Sequence, residues 1–113
     1  MIPYSRQSIN EEDIEEVIKV LRSDLITQGP ISKKFGEEIC TYTGSKYSVL
    51  TNSATSALHI ACLALGLGSG DILWTSPNSY VASANVGLLC NAEVDFVDID
   101  PDYYTIDASK IEE

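Results

Sequence analysis

The sequence predicts an α/β fold in which parallel βαβ units follow two N-terminal helices. Short apolar runs with the composition of strands, at 47–51, 71–75 and 93–97, alternate with helical patterns at 54–65 and 79–89. That alternation is typical of parallel βαβ units. Both helical stretches are apolar nearly all round, so we expect the helices and the sheet to be covered on more than one side.

Two helices are expected before the first of these runs. The first follows the capping residue Asn10 and ends near Ser23, and its apolar residues share one face: Ile14, Val17, Ile18 and Leu21. A Gly29-Pro30 breaker separates it from a second helix, which Gly44 closes.

The chain is therefore predicted to consist of an arm with two helices, 1–46, and the first βαβαβ part of an α/β domain, 47–113. A last helix is expected to start near Asp107, and the chain ends one turn later. We interpret the sequence as the N-terminal piece of a longer protein.

The composition limits the classes of function. The 113 residues carry a formal net charge of −10, from 17 acidic and 7 basic side chains, which argues against nucleic acid or an anionic membrane surface as a partner. Neither a signal peptide nor a membrane span is recognisable, so a cytoplasmic protein is expected. The three cysteines lie far apart in apolar helical patterns and predict reduced, buried thiols: Cys40, Cys62 and Cys90.

The most informative segment is 49–59, where an apolar run gives way to small hydroxyl residues and then to a helix. Asn52, Ser53 and Thr55 are good N-cap candidates. The first turn of a helix has unpaired N–H groups and partial positive charge, so a phosphate could bind there. The alternative is a capped helix without a ligand, and this segment alone favours that alternative.

Ligands of open α/β sheets bind beyond the carboxyl ends of the strands. Here these ends are expected at 51–55, 75–80 and 98–101, and the three segments should share one crevice. Tyr80 falls in the first turn of its helix and could lie against a flat ligand. A partly buried packing tyrosine is the equally weighted alternative.

Three further motifs favour structure over ligand binding. The glycines of 66–70 follow a helix and precede a strand, the reverse of the order in a dinucleotide-binding loop. The Asp-rich segment 98–102 is similar to a calcium loop, but Tyr103 and Ser109 occupy positions that need Gly and Glu. His59 has no second His or Cys at ligand spacing. No metal site is predicted.

Four motifs occur in order at 52–58 (NSATSAL), 64–71 (ALGLGSGD), 76–85 (SPNSYVASAN) and 96–100 (FVDID), with two N-terminal segments at 2–5 and 24–30. The four motifs resemble the opening of the DegT/DnrJ/EryC1/StrS aminotransferases, and the two segments fit the N-terminal arm of that family. The order of the four is more specific than any one of them. The resemblance implies the N-terminal part of the large domain of a pyridoxal-phosphate (PLP) transferase of fold type I. These enzymes aminate keto-sugars attached to nucleotides.

Within the family, the chain is most similar to the branch that makes UDP-4-amino-4,6-dideoxy-N-acetyl-β-L-altrosamine, a precursor of pseudaminic acid. The resemblance assigns Ala54 and Thr55 to the cofactor phosphate and Tyr80 to stacking on the pyridine ring. It also assigns a set of residues to the nucleotide-sugar: Tyr4, Asp24, Leu25, Ile26, Thr27 and Ala54.

The family pattern also requires a lysine that binds the cofactor covalently and an acidic residue that pairs with the pyridinium nitrogen, both downstream of Glu113. The resemblance thus implies an inactive chain that belongs to an active homodimeric enzyme with glutamate as amino donor. A histidine in place of the lysine would indicate a sugar dehydratase instead. The alternative from another class is a stand-alone α/β module that binds a phosphorylated ligand or a partner subunit without catalysis.

Overall fold

The computed structural model describes residues 2–111, which divide into two compact units, Met1–Leu50 and Thr51–Glu113. The first unit holds two helices. Helix α1 spans Glu11–Leu21 and helix α2 spans Pro30–Thr43. The boundary between the arm with two helices, 1–46, and the α/β part, 47–113, stays a prediction.

Both helices of the first unit begin and end at the signals that the sequence provides. The Asn10 side chain accepts from the Asp13 N–H at 3.0 Å, and the Asp13 carboxylate accepts from the Asn10 N–H at 2.9 Å, which completes a capping box. Helix α2 starts at Pro30 and ends at Gly44, whose φ of 73° is left-handed. These predictions are confirmed, and α1 ends at Leu21, slightly before the expected Ser23.

Along the chain, the second unit contains a helix, a strand, a helix and a strand, followed by a short 3-10 turn. Strands β1 and β2 pair in parallel, with Ile72 opposite Glu93 and Thr75 opposite Phe96. The predicted parallel βαβ unit is therefore confirmed. The elements are α3 (Ala54–Ala64), β1 (Ile72–Thr75), α4 (Ala82–Leu89), β2 (Glu93–Phe96) and the 3-10 turn Ala108–Lys110.

The structure differs from the prediction at 47–51, which forms no strand within the residues that the structure describes. The segment has the composition of a strand, but a strand also needs a neighbour that exchanges backbone hydrogen bonds with it. Strand β1 is paired with β2, and no ladder reaches 47–51. The expected βαβαβ part is thus a single βαβ unit preceded by α3, and the expected helix near Asp107 is one 3-10 turn up to residue 111.

The core of the second unit lies around α4, which packs against both strands and against α3. Its buried apolar side chains come from α4 and the segments next to β2: Ala82, Val86, Cys90, Ala92 and Val97. The predicted cover on more than one side is confirmed for α4. It is not found for α3, which packs against α4 within the second unit but has no buried residue.

Gly87 brings α4 close to the sheet. A Cβ atom at this position would lie 2.7 Å from Val94 Cγ2 and 3.0 Å from Leu73 Cδ2. Both neighbours point from the strands into the packed interface, so a methyl group would push the helix away from the sheet.

We therefore expect Gly87→Ala to lower the free energy of unfolding by about 1–3 kcal/mol, the usual cost of overpacking a core. Urea unfolding of the intact protein measures this. The matched control is Gly68→Ala, because a Cβ there would lie 3.9 Å from its nearest neighbours, Cys90 O and Gly66 O. Equal stability of the two variants would contradict the close approach.

The three cysteines are free thiols: Cys90 is buried, whereas Cys40 and Cys62 are half-buried. Burial and the neighbouring Cys62 raise the pKa of the Cys90 thiol. Full burial is thus confirmed for Cys90 alone. Along residues 2–111, no helix is long and apolar enough to cross a bilayer.

Two carboxylates in the loop after β2 are held in their charged form. The Ile99 N–H, 2.8 Å from Asp98 Oδ1, and the Lys110 ammonium lower the pKa of Asp98. The Ser109 hydroxyl, 2.6 Å from Asp107 Oδ1, and the Ser109 N–H lower the pKa of Asp107.

Because both carboxyl groups have a lower pKa in the folded state, their stabilisation is complete above pH of about 4, the unfolded value. It is lost as the pH falls through the folded values. We expect the urea midpoint to decrease with acid over this range, and Ser109→Ala to decrease less steeply. Identical slopes for the variant and the parent protein would contradict this account.

Candidate functional site

The N-terminus of α3 is organised by a small network of hydroxyl groups. Ser53 has an extended backbone (φ −158°, ψ 156°), and its Oγ accepts from the Ser56 N–H at 3.1 Å. The Ser56 hydroxyl donates to Asn52 Oδ1 at 3.0 Å and lies 3.0 Å from Ser53 Oγ. Thr51 Oγ1 donates to the Ser53 carbonyl at 2.9 Å. Ser53 is therefore the N-cap, and its neighbours hold the cap in place.

This arrangement leaves two N–H groups of the first turn available. The Ala57 and Ser56 N–H groups are bonded to Ser53, whereas those of Ala54 and Thr55 have no acceptor among residues 2–111. Ala54 is exposed and Thr55 is half-buried. Two adjacent free donors at the positive end of a helix form a cradle for an anion.

The electrostatic setting of this turn favours an anion despite the acidic chain. The first turn of α3 carries no acidic side chain, whereas that of α1 has three: Glu11, Glu12 and Asp13. A carboxylate in the first turn would occupy the free N–H groups and repel a phosphate. The turn of α3 is thus suited to bind a phosphate in a way that α1 is not.

Tyr80 lies in the segment between β1 and α4, and its side chain is 77% exposed. Within residues 2–111 the ring is therefore exposed, not packed as a partly buried tyrosine would be. The ring borders a depression of about 230 Å³ that reaches from the end of β1 to Phe96. An exposed aromatic face beside a depression of this size can contact a flat ligand.

The predicted crevice is found in part. Because β1 and β2 are parallel, the connecting helix α4 starts beyond their carboxyl ends, and the depression there brings the 75–80 segment together with Phe96 at the end of β2. The other two segments do not line that depression: Ala54 and Thr55 are absent from its wall, as are residues 98–101.

Five of the six residues assigned to the nucleotide-sugar lie in the first unit, and the sixth, Ala54, lies in the second. Tyr4 is fully exposed. Asp24 and Leu25 line a depression of about 380 Å³ together with Lys19, Pro30 and neighbouring residues of α1 and α2, whereas Tyr4, Ile26 and Thr27 do not. The Ser23 hydroxyl, which donates to the carbonyls of Val20 and Leu25 at 2.7 and 3.2 Å, fixes the start of this segment.

Each of the five lysines contacts a carboxylate or an aromatic ring of its own unit. Lys19, Lys33 and Lys34 each pair with a glutamate of their own helix, and Lys110 pairs with Asp98 and Asp107. Lys46 lies over the ring of Tyr47. In the described part of the chain, no group of three His, Cys, Asp or Glu residues could hold a metal ion.

Two structural pairs were missed by the sequence analysis. Asn52 and Ser56 are hydrogen-bonded across the α3 cap, and Ser79 and Ser83 are bonded across the start of α4, with 3.1 Å between their hydroxyl oxygens. Both pairs are four residues apart, the spacing of neighbours on a helix face. That spacing is the signal that could have found them.

The family model for the DegT/DnrJ/EryC1/StrS aminotransferases matches residues 7–113. The chain belongs to this family. The resemblance inferred from the motifs is therefore confirmed.

Two curated relatives are at least 40% identical to this chain. The UDP-4-amino-4,6-dideoxy-N-acetyl-β-L-altrosamine transaminase of Campylobacter jejuni (strain 81-176) is 42% identical over 112 residues, 99% of this chain and 29% of the relative. The UDP-4-amino-4-deoxy-L-arabinose–oxoglutarate aminotransferase of Shewanella sediminis is 40% identical over 98% of this chain and 29% of that enzyme. The chain spans less than a third of the length of these relatives.

Solved structures share the fold of this chain. Helicobacter pylori PseC, an aminotransferase involved in the biosynthesis of pseudaminic acid, superposes with a TM-score of 0.90 at 36% identity, over 97% of this chain and 30% of that one. Bacillus subtilis NtdA, solved with bound cofactor PMP, gives 0.82 at 34% identity, over 92% of this chain and 25% of that one. The predicted fold class is thereby confirmed.

Proposed function

We propose that this chain forms the phosphate-binding and ring-contacting part of a PLP-dependent sugar aminotransferase. The full enzyme would transfer an amino group from glutamate to a nucleotide-linked 4-keto-6-deoxy sugar, in the synthesis of a pseudaminic-acid-type surface sugar. The observation that carries the proposal is the pair of free N–H groups at Ala54 and Thr55, inside a chain that belongs to this family.

The residues at the α3 turn fit the phosphate of PLP. The Ala54 and Thr55 N–H groups would donate to its oxygens, and the Thr55 hydroxyl adds a third donor in the same turn. The small Ala54 side chain permits a close approach, and no carboxylate competes in this turn. The Asn52, Ser53 and Ser56 network holds the donors in place before the ligand arrives, which reduces the cost of ordering them.

Tyr80 would contact the face of the pyridine ring. Its ring is exposed at the carboxyl edge of the sheet, where ligands of α/β folds bind. When bound, PLP supplies the electron sink that stabilises negative charge at the carbon undergoing proton transfer. Tyr80 excludes water from one face of that ring and limits its tilt.

We assign the nucleotide-sugar to a second set of residues, which shares Ala54 with the cofactor site. Asp24 and Leu25, which line a depression in the first unit, provide a carboxylate and an apolar contact, and Tyr4 provides an aromatic face. The remaining members of the proposed set are Ile26, Thr27 and Ala54. The exposure of Tyr4 and of the 24–27 segment leaves these side chains available for a substrate.

The covalent lysine and the acidic partner of the pyridinium nitrogen are not assigned to this sequence. The five lysines contact carboxylates or an aromatic ring of their own units, so we propose that a further segment of the protein supplies both groups. Residues 1–113 alone would then be catalytically inactive. We further propose a homodimer in the cytoplasm, where three free thiols are stable.

The test uses the protein produced from the longest reading frame that contains these residues. Incubation with PLP, glutamate and a UDP-linked 4-keto-6-deoxy sugar should yield 2-oxoglutarate and an amino sugar, identified by mass spectrometry. Formation of a dehydrated sugar without 2-oxoglutarate would indicate a sugar dehydratase. Failure to bind PLP at all would reject the cofactor assignment and with it the proposal.

A further inference from the structure

The segment that carries Tyr80 lacks the side-chain cap that usually fixes a helix start. Helix α4 follows Val81, which provides no side-chain acceptor, and its own φ and ψ are already helical. The first acceptor of the turn is the Tyr80 carbonyl, 2.9 Å from the Ser83 N–H. Tyr80 itself thus occupies the entry to the helix, and the position of its ring depends on how this turn is held.

The hydroxyl pair of Ser79 and Ser83 bridges this entry. Their oxygens lie 3.1 Å apart, and the two residues flank Tyr80 on either side along the chain. Ser83 is therefore joined to the turn twice, through its N–H to the Tyr80 carbonyl and through its hydroxyl to Ser79. A third bond, from the Asn78 N–H to Ser76 Oγ at 3.1 Å, holds the preceding residues.

Both serines also line the depression that Tyr80 borders, together with Phe96. Ser83 is half-buried, whereas Tyr80 is exposed and has few contacts that could restrict its ring. A ring that is free to reorient must lose that freedom when it packs against a ligand, and a fixed backbone reduces the loss.

We propose that the Ser79–Ser83 hydroxyl bridge fixes the turn that presents the Tyr80 ring to the cofactor, which makes both serines positioning residues. This inference rests on the proposed function, because it assumes that Tyr80 contacts PLP. It adds two residues that act through Tyr80 and do not themselves touch the reacting atoms.

The experiment measures PLP affinity and the induced circular dichroism of bound PLP in the full-length protein. We expect Ser83→Ala and Ser79→Ala each to weaken binding about three- to tenfold, the worth of one neutral hydrogen bond, with no further loss in the double variant. Ser83→Thr keeps the hydroxyl and should restore both affinity and the dichroism signal. Ser32→Ala, in the first turn of α2, is the matched control and should change neither.

A second arm repeats Ser83→Ala in a Tyr80→Ala background, where no additional loss is expected. An equal loss in both backgrounds would show that Ser83 does not act through Tyr80 and would overturn the inference. The inference would also be overturned if Ser83→Ala left the PLP affinity unchanged while Tyr80→Ala weakened it. If Tyr80→Ala has no effect, the ring contact fails together with the inference, whereas absence of PLP binding by the parent protein rejects the proposed function itself.

Discussion

Replacing Ala54 by proline is expected to weaken PLP binding by about 10- to 100-fold, the loss of one hydrogen bond to a charged group. Proline has no N–H, so the substitution removes one of the two free donors at the α3 turn. Its ring also occupies the space through which the phosphate would approach. Fluorescence titration of the full-length variant with PLP measures the effect.

The same substitution should leave α3 folded. Ala54 is the first residue of the helix, where proline is well tolerated, and Ser53 has the extended backbone that a residue before proline prefers. Helix α2 already begins with proline, at Pro30. The thermal unfolding midpoint of the apo-protein is therefore expected to stay close to that of the parent.

Glu11→Pro is the matched control, because Glu11 is the first residue of α1 and follows a residue with an extended backbone. It should leave PLP affinity unchanged. Equal affinity of the Ala54→Pro variant and the parent protein would contradict the assignment of the phosphate to the α3 turn. If Ala54→Pro lowers both the PLP affinity and the helix content, the test is repeated with Ala54→Glu. A glutamate at the helix start stabilises the helix but repels a phosphate.

Replacing Tyr80 by alanine is expected to weaken PLP binding by about tenfold, since an aromatic contact of this kind contributes about 0.5–1.5 kcal/mol beyond the area that it buries. Tyr80→Phe keeps the ring and should bind as the parent does. The rate of amino transfer at saturating PLP should fall less than the affinity, because Tyr80 holds the cofactor plane and transfers no proton. Steady-state kinetics over a range of PLP concentrations separates the two effects.

Tyr42→Ala is the control for this variant, because Tyr42 is also exposed but lies on α2, in the first unit. We expect it to bind PLP normally and to fold as stably as the parent. If Tyr80→Ala and Tyr42→Ala bind PLP equally well, the ring contact is wrong, although the phosphate assignment could still hold.

The parts of the fold that the sequence predicted are those with local signals. Asn10 caps α1, Gly44 ends α2 and Ser53 caps α3, and each of these residues acts through backbone groups within a few positions of itself. The parallel pairing of β1 and β2 also followed, because a helix between two consecutive strands is the crossover that parallel pairing requires.

The prediction of a strand at 47–51 was wrong because a strand depends on a distant partner and not on local signals alone. Tyr47, Val49 and Leu50 give the segment its strand composition, but pairing depends on a neighbour that composition does not identify. The exposure of α3 likewise depends on which elements pack against it. Long-range partners of this kind are not encoded in the periodicity of one segment.

In the candidate site, too, the features with local signals were predictable and the others were not. The free N–H groups of Ala54 and Thr55 follow from the cap at Ser53, so a phosphate cradle was predictable from a few residues. The exposure of Tyr80 and the Ser79–Ser83 bridge could not be predicted, because both depend on where α4 begins. The sequence pattern predicted a start at residue 79, whereas the helix starts at Ala82. Family resemblance supplied the role of Tyr80 that geometry alone would have left open.

The most direct test is a crystal structure of the full-length protein with PLP bound. We predict phosphate oxygens about 2.7–3.2 Å from the backbone nitrogens of Ala54 and Thr55, the distance of a hydrogen bond, with the Tyr80 ring against the pyridine face. A phosphate bound elsewhere, with only water at the first turn of α3, would contradict the central assignment.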